Sequence, residues 1–404
     1  MKRFLCLTIA LLGLPVVAVT FSFGQMAQPG GSRPASTRLR QIYHLPRKKP
    51  QSALQQALAA AATGTTIPMW SYSVVSPVDN TTYTGAMVGR SPFFNGHRTT
   101  TVQVYLIPVI LTFADTGTVF DPTVTDSCLG SQSVDDFVTK SPIFNPSDFV
   151  MNGVDVGSAQ YIDGFQRGNF WSEISATAAS YHTELAVTVL PAQSLTVPAA
   201  SGQTNADIFS GCPYGLMDGN WWDGPSFSGT GTSQAQNLIA ALASKGVGPN
   251  SLPLFLFDSV FEYIGTTSNC CVLGYHDSYG TPAQTYSAEG IDTSGAIGGD
   301  VSTMSHEIGE WMDDPLGTNP TPLWGHIGQQ SACQNNLEVG DPLSPGFPTS
   351  PPYNPFLVTM NGSTYTLQEL AYYSWFYRQS PSIGSGGQFS DNGTFTTDAG
   401  AVCK

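Results

Sequence analysis

Charged side chains are scarce in this sequence. Asp, Glu, Lys and Arg make up 11% of its 404 residues, against roughly 25% in an average soluble chain. Basic residues are the scarcest, with 15 Lys and Arg facing 29 Asp and Glu. Eight of those 15 fall within residues 1–50, where there is no acid. Residues 51–404 are left with seven basic side chains and a net charge of −22. Such a body repels nucleic acid and anionic membrane surfaces, which excludes both as partners, and it attracts cations. No Cys-x-x-Cys pair occurs, so the common cysteine zinc sites are excluded. Past residue 24 no apolar run reaches the ~20 residues of a spanning helix, and no membrane span is expected there. No internal repeat is visible.

What the sequence does contain starts with an export signal. Lys2 and Arg3 precede an apolar stretch over residues 4–19, broken only by Thr8, Gly13 and Pro15. Ser22 and Gly24 supply small residues before a cut near Gln25. Residues 1–24 are therefore expected to be removed, and the chain to be secreted, periplasmic or extracellular. Of the seven cysteines, Cys6 lies inside the signal. The remaining six, Cys128, Cys212, Cys270, Cys271, Cys333 and Cys403, suit three disulfides in an exported chain. Adjacent Cys270 and Cys271 are expected to bond to different partners, because a bridge between neighbours is strained.

Residues 25–65 read as a basic leader, either a linker or a pro-segment held by charge, with a short helix at 52–62. Residues 66–404 read as a single α+β domain. Strands are expected at 70–75, 81–89, 101–113, 185–191 and 252–260. Helices are expected at 158–171 and at 233–247, the latter ending at Gly246.

The chemistry concentrates in GGDVSTMSHEIGEWMDDPLG, residues 298–317. Asp300 or Ser302 can start a helix here, and Pro315 with Gly317 can stop it. At 100° per residue His306, Glu310 and Asp313 share one face, with Glu307 beside them. Val301, Met304, Ile308, Trp311 and Met312 share the other, so the helix is amphipathic. His306 and Glu310 are neighbours at i and i+4 and can grip one metal ion. Glu307, at the edge of that pair, can take a proton from a water on the ion. Asp313 and Asp314 crowd the helix C-terminus, where negative charge is disfavoured and a cation would relieve it.

A catalytic metal needs a third protein ligand. Glu338 is the first choice, with Asp341 of the same segment (335–343) and Asp313 or Asp314 as further candidates. His276, in CCVLGYHDSYG (270–280), is expected to line the site and to orient substrate or steady an oxyanion. Tyr275 and Tyr279 are possible oxyanion donors. Zinc is the expected ion; oxygen-rich ligation keeps Mn2+ and Ca2+ open.

SHEIGEW (305–311) resembles the active-site helix of zincin-type metallopeptidases. That resemblance implies a zincin-like mixed sheet, a zinc-binding His306, a general base at Glu307 and a peptide or protein substrate. Glu310 stands where the family has its second histidine. CVLGYH (271–276), followed by DDPLG (313–317), is similar to secreted plant phosphate-induced, EXORDIUM-like proteins, which implies an extracellular location. The competing expectation is a non-catalytic extracellular or cell-surface binding protein, with carbohydrate as a candidate ligand and a structural metal. Its candidate sugar platforms are NWWDGPSF (220–227) and YYSWFY (372–377).

Overall fold

The computed structural model describes residues 51–94, 96–297, 300–345, 351–398 and 403. The expected signal and most of the leader lie outside the described residues. Those that are described belong to one compact unit. Helix α1 (Gln51–Ala62) falls where the leader helix was expected. Strands β1 (Met69–Val75) and β2 (Thr82–Val88) then form an antiparallel hairpin.

The centre of the molecule is β3 (Arg98–Phe113), a 16-residue strand. Helix α2 (Tyr161–Asn169) follows, then β4 (Tyr181–Val189) and β5 (Gln193–Val197). Both of these strands pair with β3 in parallel and along the same edge. The first covers β3 as far as Leu106 and the second resumes at Val109. Pro108 lies in this gap, where a missing N–H is tolerated.

Helix α3 (Gln234–Ala241) precedes β6 (Ser251–Asp258), and β6 pairs in parallel with the other edge of β3. Every residue of β6 is buried, which explains its near-continuous apolar run. Leu252, Leu254 and Leu256 face one core and Phe255 and Phe257 face another. The apolar run expected over 252–260 is divided at Ser259, which has φ +47°. Beyond that bend Val260–Ile264 joins a different sheet.

Strands β7 (Gly274–Tyr279) and β8 (Gln284–Ile291) complete the main sheet; β8 is parallel to β6, and β7 is the antiparallel edge. Helix α4 (Ser302–Asp313) packs on this edge. A bulged hairpin, β9 (Pro320–Ile327) and β10 (Gln330–Asn336), comes next. The result is an α+β fold whose mixed sheet has helices on both faces. No helix among the described residues is long and apolar enough to cross a membrane.

Three disulfides form, but not with the expected partners for the adjacent pair. Cys128 bonds Cys212 and Cys333 bonds Cys403, with Cα–Cα separations of 6.2 and 5.7 Å. Cys270 and Cys271 bond each other. The other four sulfurs among the described residues are consumed in their own pairs, and both adjacent cysteines are buried. The expected sugar platform at 372–377 is core instead: all six side chains are buried, and Trp375 stacks on Phe395. In the other platform Trp222 is buried too, donating its indole N–H to Tyr275.

Candidate metal centre

Helix α4 occupies the expected segment. Neither Asp300 nor Ser302 caps it: Val301 holds the N-cap position with no side-chain cap, and the Asp300 carboxylate just before it accepts from the Val301 N–H and from the Thr366 N–H at 2.9 Å. The chain turns away at Gly317, whose φ of +62° only glycine adopts without cost. All 12 residues of α4 are buried. The amphipathic pattern therefore does not separate core from solvent. One side of α4 meets apolar core, and the other meets a buried polar cluster.

His306 and Glu310 meet as their spacing requires, with Nε2 3.1 Å from Oε1. Asp341 Oδ1 lies 3.6 Å from the same nitrogen. Ligand atoms of these three residues all fall within 4.8 Å of one another. Ligands 2.0–2.1 Å from a tetrahedral zinc stand about 3.3 Å apart, so the observed separations fit such an ion. Of the downstream candidates it is Asp341 that joins His306 and Glu310. Glu338 is fully buried on the same segment, and its charge acts on Glu307.

The surroundings hold these groups in place. The N–H groups of Gly340 and Asp341 donate to Glu310 Oε1 at 3.1 and 3.2 Å. Gln329, Gln330 and Gln334 all donate side-chain amides to the Asp341 carboxylate. Ser344 Oγ stands 3.2 Å from His306 Nδ1 and donates to the Gly340 carbonyl at 3.1 Å. With Nδ1–H donated to Ser344, the imidazole turns a lone pair toward Glu310 and Asp341. That contact is repulsive unless a proton or a cation sits between them.

Glu307 lies beside this group. Its Oε2 is 3.0 Å from His276 Nδ1, and its Oε1 is 3.8 Å from His306 Nε2. His276 reaches it because side chains alternate along β7. Gly274, His276 and Ser278 face α4, while Tyr275 and Tyr279 face the opposite core. Tyr275 is accordingly no oxyanion donor here; its hydroxyl donates to Asp223 at 3.1 Å. Asp313 accepts from Gln166 and Asn169, and Asp314 accepts from the Thr318 and Asn319 N–H groups. These donors relieve the crowded helix end that seemed to call for a cation.

Glu289, which faces the centre from β8 and is fully buried, was not among the expected site residues. An acid inside a strand buried throughout was the available signal. Gly340, Ser344 and the three glutamines carried none. In all, Glu289, Glu307, Glu310, Glu338 and Asp341 bury five carboxylates around His276 and His306. Burial, then the charges of Glu310, Glu289, Asp341 and Glu338, drives the Glu307 carboxyl well above its ordinary range. Burial does the same to Glu289, against an opposing bond from Ser287. Four basic side chains among the described residues are engaged elsewhere: Arg98, Arg167 and Arg378 bond backbone carbonyls, and Lys140 pairs with Asp136. Uncompensated carboxylates in such a place cost several kcal/mol each, so protons or cations must neutralise them.

A third group, His326 with Cys333 and Cys403, is no rival, because both its sulfurs are in a disulfide. No family model, curated protein or solved structure matches this chain.

Proposed function

We propose that this protein is an exported metal-dependent hydrolase, with a zinc peptidase of zincin-like fold as its best-fitting class. The observation that carries this reading is the convergence of Glu310 and Asp341 on His306 Nε2, at 3.1 and 3.6 Å. His306, Glu310 and Asp341 would hold the ion, with Glu338 in reserve on the same loop. Zinc suits the helix pattern; Mn2+ and Ca2+ suit the oxygen-rich set. When bound, the ion would act as a Lewis acid toward a carbonyl and lower the pKa of water.

The remaining chemistry belongs to the chain. Glu307 is positioned to take a proton from water through Oε1, the oxygen turned toward His306. His276 holds the other oxygen and fixes the direction of the carboxylate. Three disulfides support an oxidising, extracytoplasmic setting. Peptide is the proposed substrate.

Complete burial of the centre favours one second reading. An ion there would tie α4 to the 337–344 segment and do no chemistry. The two readings separate experimentally. Elemental analysis of purified protein should find bound metal, and Glu307→Gln should keep that metal and lose hydrolysis of a peptide library by at least ~100-fold. Full turnover by Glu307→Gln removes the base. Metal whose chelation lowers thermal stability, with no turnover on any peptide, establishes the structural reading. Absence of metal, with no uptake on titration, sinks both.

A further inference from the structure

Two ligand groups overlap in the buried centre. His306, Glu310 and Asp341 form one; His276, Glu307 and Glu310 form the other, again with ligand atoms within 4.8 Å of one another. Glu310 belongs to both. Glu307 also spans them, since its Oε1 faces His306 at 3.8 Å while its Oε2 faces His276 at 3.0 Å.

Glu289 stands on the His276 side. It pairs across the sheet with Gly274, and a Cβ on Gly274 would meet Glu289 Oε2 at 2.3 Å and Thr303 Cγ2 at 2.8 Å. The carboxylate therefore lies between β7 and the first turn of α4, one helical turn ahead of Glu307. Glu289 Oε2 and Glu307 Oε1 are both buried, and neither has a hydrogen-bond partner among the described residues. Polar oxygens placed so are expensive unless a cation or proton meets them.

We propose that the centre takes two divalent cations, bridged by Glu307 and Glu310. His306 and Asp341 complete the first position, and His276 and Glu289 complete the second. Charge supports the count. Two divalent ions carry four positive charges against the five buried carboxylates Glu289, Glu307, Glu310, Glu338 and Asp341, whereas one ion would leave three uncompensated. Glu289 and Glu338 both lie outside the two three-residue groups; Glu289 is assigned to the second position by its place between β7 and the first turn of α4. Paired ions in hydrolytic centres sit about 3.5–4 Å apart, a spacing that one bridging carboxylate spans. Imidazole with carboxylate ligation suits Mn2+, Fe2+ or Zn2+. The inference rests on the proposed function only for the first ion. Glu307 is the base in the singly loaded form and a ligand in the doubly loaded one.

The test uses metal-stripped purified protein titrated with Mn2+, followed by calorimetry and by electron paramagnetic resonance. Two ions per chain are expected, with the six-line signal of isolated Mn2+ giving way to a spin-coupled spectrum as the second ion enters. Glu289→Gln and Glu307→Gln preserve side-chain volume, and each should reduce the count from two to one. Circular dichroism confirms that each variant is folded. One ion in the wild type, two uncoupled ions, or a count of two in both variants overturns the proposal. If one ion binds, is lost in Asp341→Asn and is indifferent to Glu289→Gln, the single-ion reading stands and this one falls. If no ion binds, both fall.

Discussion

A methyl group at position 340 has no room. Built onto Gly340, a Cβ would sit 2.2 Å from His306 Nδ1 and within 2.6 Å of two carbons of the ring. The backbone there has φ −85°, which any residue adopts, so the demand for glycine is purely steric. Gly340→Ala should push the imidazole off its position and break its contact with Ser344. Displaced supporting groups typically weaken metal affinity about 10–100-fold, and overpacking costs about 1–3 kcal/mol of stability. Calorimetric titration of the folded variant measures the first quantity; unchanged affinity would show that the ring is not held by this contact. The residues of the centre were legible only where they are local. His306, Glu307 and Glu310 announce themselves because one helical turn brings them together. Asp341, Gly340 and Ser344 lie 30 or more residues away, and nothing in a one-dimensional pattern says which acid of 335–343 turns inward. Glu338 was the first choice, yet Asp341 carries the three glutamine donors and the approach to His306 Nε2 at 3.6 Å.

The end of α4 works as a clamp between elements. Asp314 accepts from Thr318 N at 2.8 Å and from Asn319 N at 2.9 Å. Asn319, thus placed, donates to the carbonyls of Ala86 and Asp313 at 2.6 Å each and accepts from Ala86 N at 2.9 Å. One carboxylate fixes a loop whose amide joins α4 to β2. Asp314→Ala removes the acceptors of one buried and one half-buried N–H group and should destabilise the protein by about 3 kcal/mol, while Asp314→Asn, which keeps an acceptor, should lose less. Urea unfolding of both variants checks the order; equal losses would show that bulk, not hydrogen bonding, holds the loop. Most elements were legible at this scale, because β-branched runs and turn residues mark β1 to β3 and β6. The chain ends α4 where Pro315 and Gly317 said it would. What pattern alone could not reveal was that the polar side of α4 is as buried as its apolar side. Scarcity of lysine and arginine was the hint, since unpaired acids on a helix ordinarily need water.

For the whole molecule, the α+β class was legible in the sequence, and the disulfide partners were not. Pairing follows which loops the sheets bring together: Cys128 meets Cys212, Cys333 meets Cys403, and Cys270 and Cys271 bond each other. The acidic composition has a consequence for the folded state that can be measured away from the centre. Asp258 closes β6, and burial, reinforced by the charge of Asp126, raises its carboxyl from 3.8 to about 7. Burial also lifts Asp300 to about 6, against the opposing N–H groups of Thr366 and Val301. Between pH 4 and 7 the folded chain therefore holds protons that the unfolded chain has released. Stability from these groups is complete below their unfolded values and is lost as the pH rises through the folded ones. For Asp258 the loss is on the order of 4 kcal/mol. Asp258→Asn is neutral at every pH and escapes it. In urea denaturation with chelator present, the variant should gain on the wild type from pH 4 to about pH 7 and level off above it. A difference that stays flat across that window would mean that Asp258 ionises as freely in the folded protein as in water.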